Sequence, residues 1–163
     1  MPRIHAQAAA CLLLALFAFG SIGCSTLRDT TAPPQTVKRL AALDYPEDAP
    51  HGPDLDVLLV RSSGQVRLVN RTATSYAGMQ LWLNRQYVRD SGTVKIGTDN
   101  LRELTDFINY HEEPYPVGTF LNPDQTAPLV LAEFYNPQQN VRHRLLVRPG
   151  NEATIVPFEE LNN

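Results

Sequence analysis

The side chain with the clearest chemical role is Cys24, which ends the stretch Ser21-Ile22-Gly23-Cys24. A processing peptidase needs small side chains in an extended conformation at its cut, and Gly23 directly before Cys24 meets that need. The chain contains two cysteines, Cys11 and Cys24. The pattern predicts cleavage between Gly23 and Cys24, after which Cys24 holds the remaining thiol.

The elements upstream of Cys24 fit an export signal. Residues 8–19 form a run of twelve residues without a polar side chain, and Arg3 precedes it. A signal-peptide core is about 7–15 residues long, whereas a helix that crosses a bilayer needs about 20. Residues 1–23 are therefore predicted to be a signal peptide that is removed.

Ser21-Ile22-Gly23-Cys24 resembles the lipobox of bacterial lipoproteins, with Ser21 at the position where Leu is usual. The resemblance implies that Cys24 becomes a lipidated N-terminus and ties the protein to a membrane through covalent lipid. Two or more acyl chains make such an anchor effectively permanent. Ser25 after the cysteine implies the outer membrane, facing the periplasm, in a Gram-negative cell. An ordinary secretory signal and an uncleaved anchor are the alternatives.

Charge and cysteine content limit the function of the mature protein. Removing residues 1–23 removes Arg3 alone among the charged side chains, which leaves 13 basic and 17 acidic residues. Nucleic-acid binding needs clustered positive charge, so no nucleic-acid partner is expected. No cysteine pair remains for a disulfide, although export permits disulfides.

Three segments are expected: the signal peptide at residues 1–23, a lipidated cysteine with a Pro-rich tether at 24–53, and a β domain at 54–163. Residues 25–53 contain five prolines, and as a flexible coil they would hold the domain about 30 Å from the lipid. Two structural alternatives remain for parts of the tether. Residues 35–43 could form two helical turns, and part of the segment could pack on the domain as an edge strand.

The apolar and polar pattern of the domain predicts a series of short strands. Residues 55–61 are apolar on both faces and are followed by the turn at residues 62–64 and the alternating run 65–71, which predicts a hairpin. Residues 78–84 alternate again, with Trp82 on the side opposite Met79, Leu81 and Leu83. A turn is expected at residues 90–92.

The C-terminal part contains the clearest hairpin. Residues 129–135 and 141–149 flank a turn, with Val141, His143, Leu145 and Val147 predicted inward and Arg142, Arg144 and Arg148 outward. Residues 153–158 could add a last strand. About seven to nine strands without long helices predict an all-β, antiparallel sandwich, which loosely resembles immunoglobulin-like and fibronectin type III-like domains. That resemblance favours an adhesive or scaffolding module.

Residues 98–120 depart from the strand period. Leu101, Leu104 and Ile108 are spaced like one face of a short helix, but an edge strand followed by a long loop fits equally well. Aromatic and acidic side chains then follow at residues 110–115, together with Pro114 and Pro116, and such a proline-stiffened loop is typical of binding surfaces. The predicted partner-binding residues are Tyr110, Glu112, Glu113 and Tyr115.

The sequence shows no catalytic constellation. His51, His111 and His143 lack the spacing of a zinc site, so no metal and no cofactor are predicted. The first hypothesis is a lipid-anchored module of the cell envelope, not an enzyme, that contacts an unknown envelope protein or cell-wall component. The second is an envelope hydrolase or small-ligand binder whose site is assembled from residues distant in sequence.

Overall fold

A computed structural model describes residues 30–62, 64–118 and 126–148. The described elements are one helix and seven strands: α1 Pro34–Ala41, β1 Leu55–Ser62, β2 Gln65–Asn70, β3 Gln80–Leu83, β4 Tyr87–Asp90, β5 Gly97–Glu103, β6 Ala132–Asn136 and β7 Val141–Arg148. A 3-10 turn at Leu104–Asp106 follows β5. Residues 1–29, 149–163 and the predicted strand at 153–158 lie outside the described residues.

The strands form one curled sheet in the order β4-β3-β6-β7-β1-β2-β5. Both predicted hairpins are confirmed, because β1 pairs with β2 and β6 pairs with β7 in antiparallel register. The region after residue 96 is the edge strand β5 and not a helix. The mostly β fold is confirmed.

The predicted antiparallel, immunoglobulin-like sandwich is not what the strands form. β7 pairs with β6 through residues 141–144 and with β1, in parallel, through residues 145–148. This one strand therefore joins the two halves through continuous hydrogen bonding. A strand that changes partner along its length bends a sheet, so the seven strands curl around one core instead of stacking as two separate layers.

The main core lies on the inner face of the curled sheet. Alternate strand residues such as Leu59, Leu68 and Phe134 point there and are fully buried, as the two-residue strand period requires. The loop residues Phe107 and Tyr115 pack into the same cluster and cover it.

A second, smaller apolar cluster lies on the outer face. It joins Val37 and Leu40 of α1 to Trp82, Val88 and Ile108. Pro34 at the start of α1 suits the first turn of a helix, and Val37 and Leu40 share one helix face. Trp82 does point away from Leu81 and Leu83, as predicted, but it is buried because α1 covers it.

Residues 34–53 therefore pack on the sheet, although the sequence suggested that they belong to a tether. The two helical turns are confirmed as α1, and residues 50–52 extend the parallel pairing of β1 with β7. Arg142 N donates to Pro50 O at 2.9 Å, and Gly52 N donates to Arg142 O at 2.8 Å. The part of the chain that could act as a free linker is correspondingly shorter.

Candidate functional site

Residues 42–53, which we call the arm, cover a cluster of polar side chains on the outer face of the sheet. Tyr45 and His51 come from the arm, Glu133 from β6 and Arg142 from β7. Glu133 and Arg142 belong to the outer face because the neighbouring residues Phe134 and Leu145 follow the inner-face alternation. We call these four residues the clasp.

Arg142 is the centre of the clasp. Its Nε donates to Ala49 O at 2.9 Å and its Nη2 donates to Glu47 O at 2.9 Å. Its Nη1 donates to the hydroxyl of Tyr45, and the guanidinium lies 5.3 Å from the centre of the Tyr45 ring. A rigid guanidinium fork thus holds two backbone carbonyls and one side chain of the arm.

Glu133 supplies the negative charge. Glu133 is 1% exposed, and its Oε2 accepts a hydrogen bond from the Tyr45 hydroxyl at 2.5 Å. Its Oε1 is buried and has no hydrogen-bond partner among the described residues, although His51 Nε2 lies 3.6 Å away. A buried carboxylate needs hydrogen bonds or a nearby cation, and here it has the Tyr45 hydroxyl, which is itself bonded to Arg142, with the His51 ring close by.

The Tyr45 hydroxyl bridges Glu133 on β6 and Arg142 on β7. Burial raises the pKa of the Tyr45 hydroxyl, the bond to Glu133 raises it further, and the bond from Arg142 acts in the opposite direction. The neutral phenol can donate to Glu133 and accept from Arg142 at once, whereas the phenolate could not donate. The raised pKa is therefore consistent with the observed bonding.

Arg142 was predicted to face outward, away from the main core, and it does. It is buried there because the arm covers that part of β7. His143 was predicted inward and is half-buried, with Nδ1 2.9 Å from Pro53 O. Gly52 approaches this ring so closely that a Cβ there would lie 2.5 Å from His143 Cε1.

The predicted partner-binding loop divides into two parts. Tyr110 is 70% exposed and stacks on His111, and Glu113 is also exposed. Asn109 orders this turn, because its Oδ1 accepts from the backbone of His111 and Glu113 and its Nδ2 donates to Glu113 Oε2. Glu112 is half-buried, with a positive φ of 63°.

Tyr115 belongs to the core and is not available to a partner. It is 1% exposed, packs against Tyr87 with ring centres 4.9 Å apart, and donates its hydroxyl to Ala127 O. Burial raises the pKa of Tyr115, with the nearby Arg61 acting in the opposite direction. The loop thus offers Tyr110, Glu112 and Glu113 as candidates for a surface contact.

The sequence reasoning missed the clasp, although one signal pointed to it. Glu133 is the single charged residue in the apolar run 129–135, and a charge in a buried strand is normally paired. Gly23 and Cys24, the predicted cleavage and lipidation residues, lie outside the described residues. Within the described ranges, no three His, Cys, Asp or Glu side chains are placed to hold a metal ion.

Comparisons with models of known protein families, with curated proteins and with solved structures found no match. The described residues contain no helix with the length and hydrophobicity needed to cross a membrane. The fold and the clasp therefore define a class by architecture: a mixed, curled seven-stranded sheet with a helix and the arm held on its outer face.

Proposed function

We propose that this chain is a lipid-anchored cell-envelope protein whose β domain is an interaction or structural module. The observation that carries the proposal is the run of apolar residues 8–19 followed by Gly23 and Cys24. Such an anchor confines a domain to a surface without any spanning segment of its own. The outer membrane, with the domain facing the periplasm, is the expected location in a Gram-negative cell.

A contact at Thr31 limits how far the domain could lie from the proposed anchor. Thr31 Oγ1 donates to Asp106 Oδ1 at 2.7 Å, so a residue seven positions after Cys24 already contacts the domain. Seven residues span at most about 25 Å when fully extended. The domain would then lie close to the membrane surface, and its partner would have to reach it there.

The bonding of the clasp supports a structural role for its polar groups. Arg142 uses its guanidinium on the arm, and the Tyr45 hydroxyl both donates and accepts within the fold. A catalytic acid or base has to reach a substrate, and these groups are committed to holding the arm. The proposal is accordingly a binding or scaffolding module without catalysis.

The anchor is tested by replacing Cys24 in the full chain, expressed in the cells that make it. With Cys24→Ser, the precursor should accumulate uncleaved, because the lipoprotein peptidase requires a modified cysteine at its cut. Mass spectrometry of the wild-type N-terminus should show an acylated Cys24.

Cys11→Ser is the matched control, because Cys11 lies in the segment predicted to be removed. It should leave processing and membrane association unchanged. An unmodified wild-type N-terminus at another residue would refute the anchor.

A further inference from the structure

The outer face has a second half that neither α1 nor the arm covers. α1 and the arm lie over β3, β4, β6 and the first residues of β7. On the remaining strands, the register lines up two rows of outer-face side chains. One row is Leu146, Leu58 and Val69, and the next is Arg148, Val60, Arg67 and Leu101.

These two rows, which we call the open face, are unusually apolar for a surface. Leu101 is 47% exposed and Leu146 is 46% exposed, and Leu58 and Val60 are half-buried. Val69, at the end of the first row, is buried. On the covered half, the equivalent surface around Trp82 and Val88 is closed by Val37 and Leu40 of α1. The helix α1 is thus an example of an amphipathic segment that buries apolar side chains on this face of the sheet.

The charge of the open face differs from that of the whole chain. Arg148 and Arg67 lie in the second row, and Arg144 is exposed next to the first. Three acidic side chains lie nearby on the same outer face. Glu103 accepts a hydrogen bond from Gln65 at its Oε1, Glu133 lies opposite Arg144 and is buried, and Asp56 is exposed at the start of β1. A chain with a formal charge of −3 therefore presents guanidinium groups between aliphatic side chains on this face.

We propose that the open face binds an acidic, amphipathic segment of another envelope protein. Carboxylates of the partner would meet Arg144 and Arg148, and its apolar side chains would cover Leu101 and Leu146. The location of the partner in the envelope rests on the proposed function, whereas the binding surface depends on the fold alone.

Charge argues against a second copy of this chain as the occupant. Two open faces in symmetric contact would bring arginines toward arginines, and the exposed last turn of α1 carries Lys38 and Arg39. A bilayer is a poorer fit, since membrane binding buries an apolar face about 5–10 Å deep. Leu58 and Val60 are half-buried within the sheet surface and do not project that far.

The test uses a photo-crosslinking amino acid at Leu101 or at Leu146 in the full chain, expressed in the cells that make it. Val130 is the control position, because it is exposed but precedes β6 and lies outside the two rows. Both test positions should yield an adduct with another protein, and Val130 should not. The crosslinked peptide of the partner should be rich in acidic and apolar residues.

Charge reversal then tests the arginines. Arg144→Glu combined with Arg148→Glu should reduce the crosslinking yield at least fivefold, while Lys38→Glu on α1 should leave it unchanged. Arg144→Gln with Arg148→Gln should give an intermediate yield, and unchanged thermal unfolding shows that the variants are folded.

The proposal is overturned by an adduct with lipid, with a second copy, or with residues 149–163 of the same chain. It is equally overturned by the absence of adducts, by equal yields at Val130, or by yields that charge reversal does not change. Mass spectrometry of the N-terminus in the same cells separates the two proposals. An unmodified N-terminus with the expected adduct refutes the anchor alone, and an acylated Cys24 without the adduct refutes the open face alone.

Discussion

The Tyr45 hydroxyl donates to Glu133 Oε2 across 88 residues of sequence, and the same hydroxyl accepts from Arg142 Nη1. This contact attaches a segment that precedes β1 to two strands at the end of the described chain. The arm is consequently part of the folded domain, and a domain boundary at residue 54 would cut through the clasp.

Removing the Arg142 side chain should destabilise the domain strongly. Arg142→Met releases two arm carbonyls and the Tyr45 hydroxyl from hydrogen bonds and removes the buried guanidinium that is linked to Glu133 through Tyr45. Breaking a buried charge network costs about 3–5 kcal/mol. Arg144→Met on the same strand is the matched control, since Arg144 is exposed, and should change the free energy of unfolding by less than about 0.5 kcal/mol. Urea denaturation measures both, and equal losses would contradict the clasp.

The raised pKa of Tyr45 predicts a stability difference that depends on alkaline pH. Because the pKa is higher in the folded state than the ordinary 10.0, the stabilisation by Tyr45 is complete below about pH 10. It should be lost as pH rises through the folded-state pKa. The difference in unfolding free energy between wild type and Tyr45→Phe should therefore be constant up to pH 9 and shrink above pH 10.

The comparison with Tyr45→Phe removes the contributions of Tyr87 and Tyr115, whose pKa values burial also raises. Both tyrosines are present in the two proteins and cancel in the difference. A difference that stays constant to pH 11, or grows, would contradict the bonding described for the clasp.

Tyr110 and Tyr115 should behave differently although they are five residues apart. Tyr115→Ala empties a core position and should cost about 3–5 kcal/mol. Tyr110→Ala removes a side chain that is 70% exposed and should cost less than about 0.5 kcal/mol. Thermal and urea unfolding of the two single variants measures this. A large loss with Tyr110→Ala would mean that its stacking on His111 supports the loop.

Gly52 and Gly64 provide a matched pair for the close approach between the arm and β7. A Cβ at residue 52 would lie 2.5 Å from His143 Cε1 and 2.8 Å from Nδ1, whereas none of the described atoms lies within 4 Å of a Cβ at residue 64. Gly52→Ala should therefore displace the His143 ring and its contact with Pro53 O. We expect a loss of about 1 kcal/mol for Gly52→Ala and none for Gly64→Ala. Equal melting temperatures would show that the ring moves away at no cost.

The sequence by itself determined the local elements. The alternation in residues 65–71 and 141–149 predicted β2 and β7, and the turns between the runs predicted both hairpins. These features depend on neighbours within a few residues, and a two-residue period reports them directly. The same pattern placed Arg142 and Trp82 on the side opposite the main core, which is correct.

Only the tertiary structure decided what covers each face. The strand period separates two faces but does not say whether solvent or another segment lies on the second one, so it could not show that Arg142 and Trp82 are buried there. The Pro-rich arm has no period of its own, and its position depends on bonds to Arg142 and Glu133 that join residues more than 80 positions apart. The parallel pairing of β1 with β7 is equally nonlocal, and it turns the predicted sandwich into one curled sheet because a single strand hydrogen-bonds to both halves.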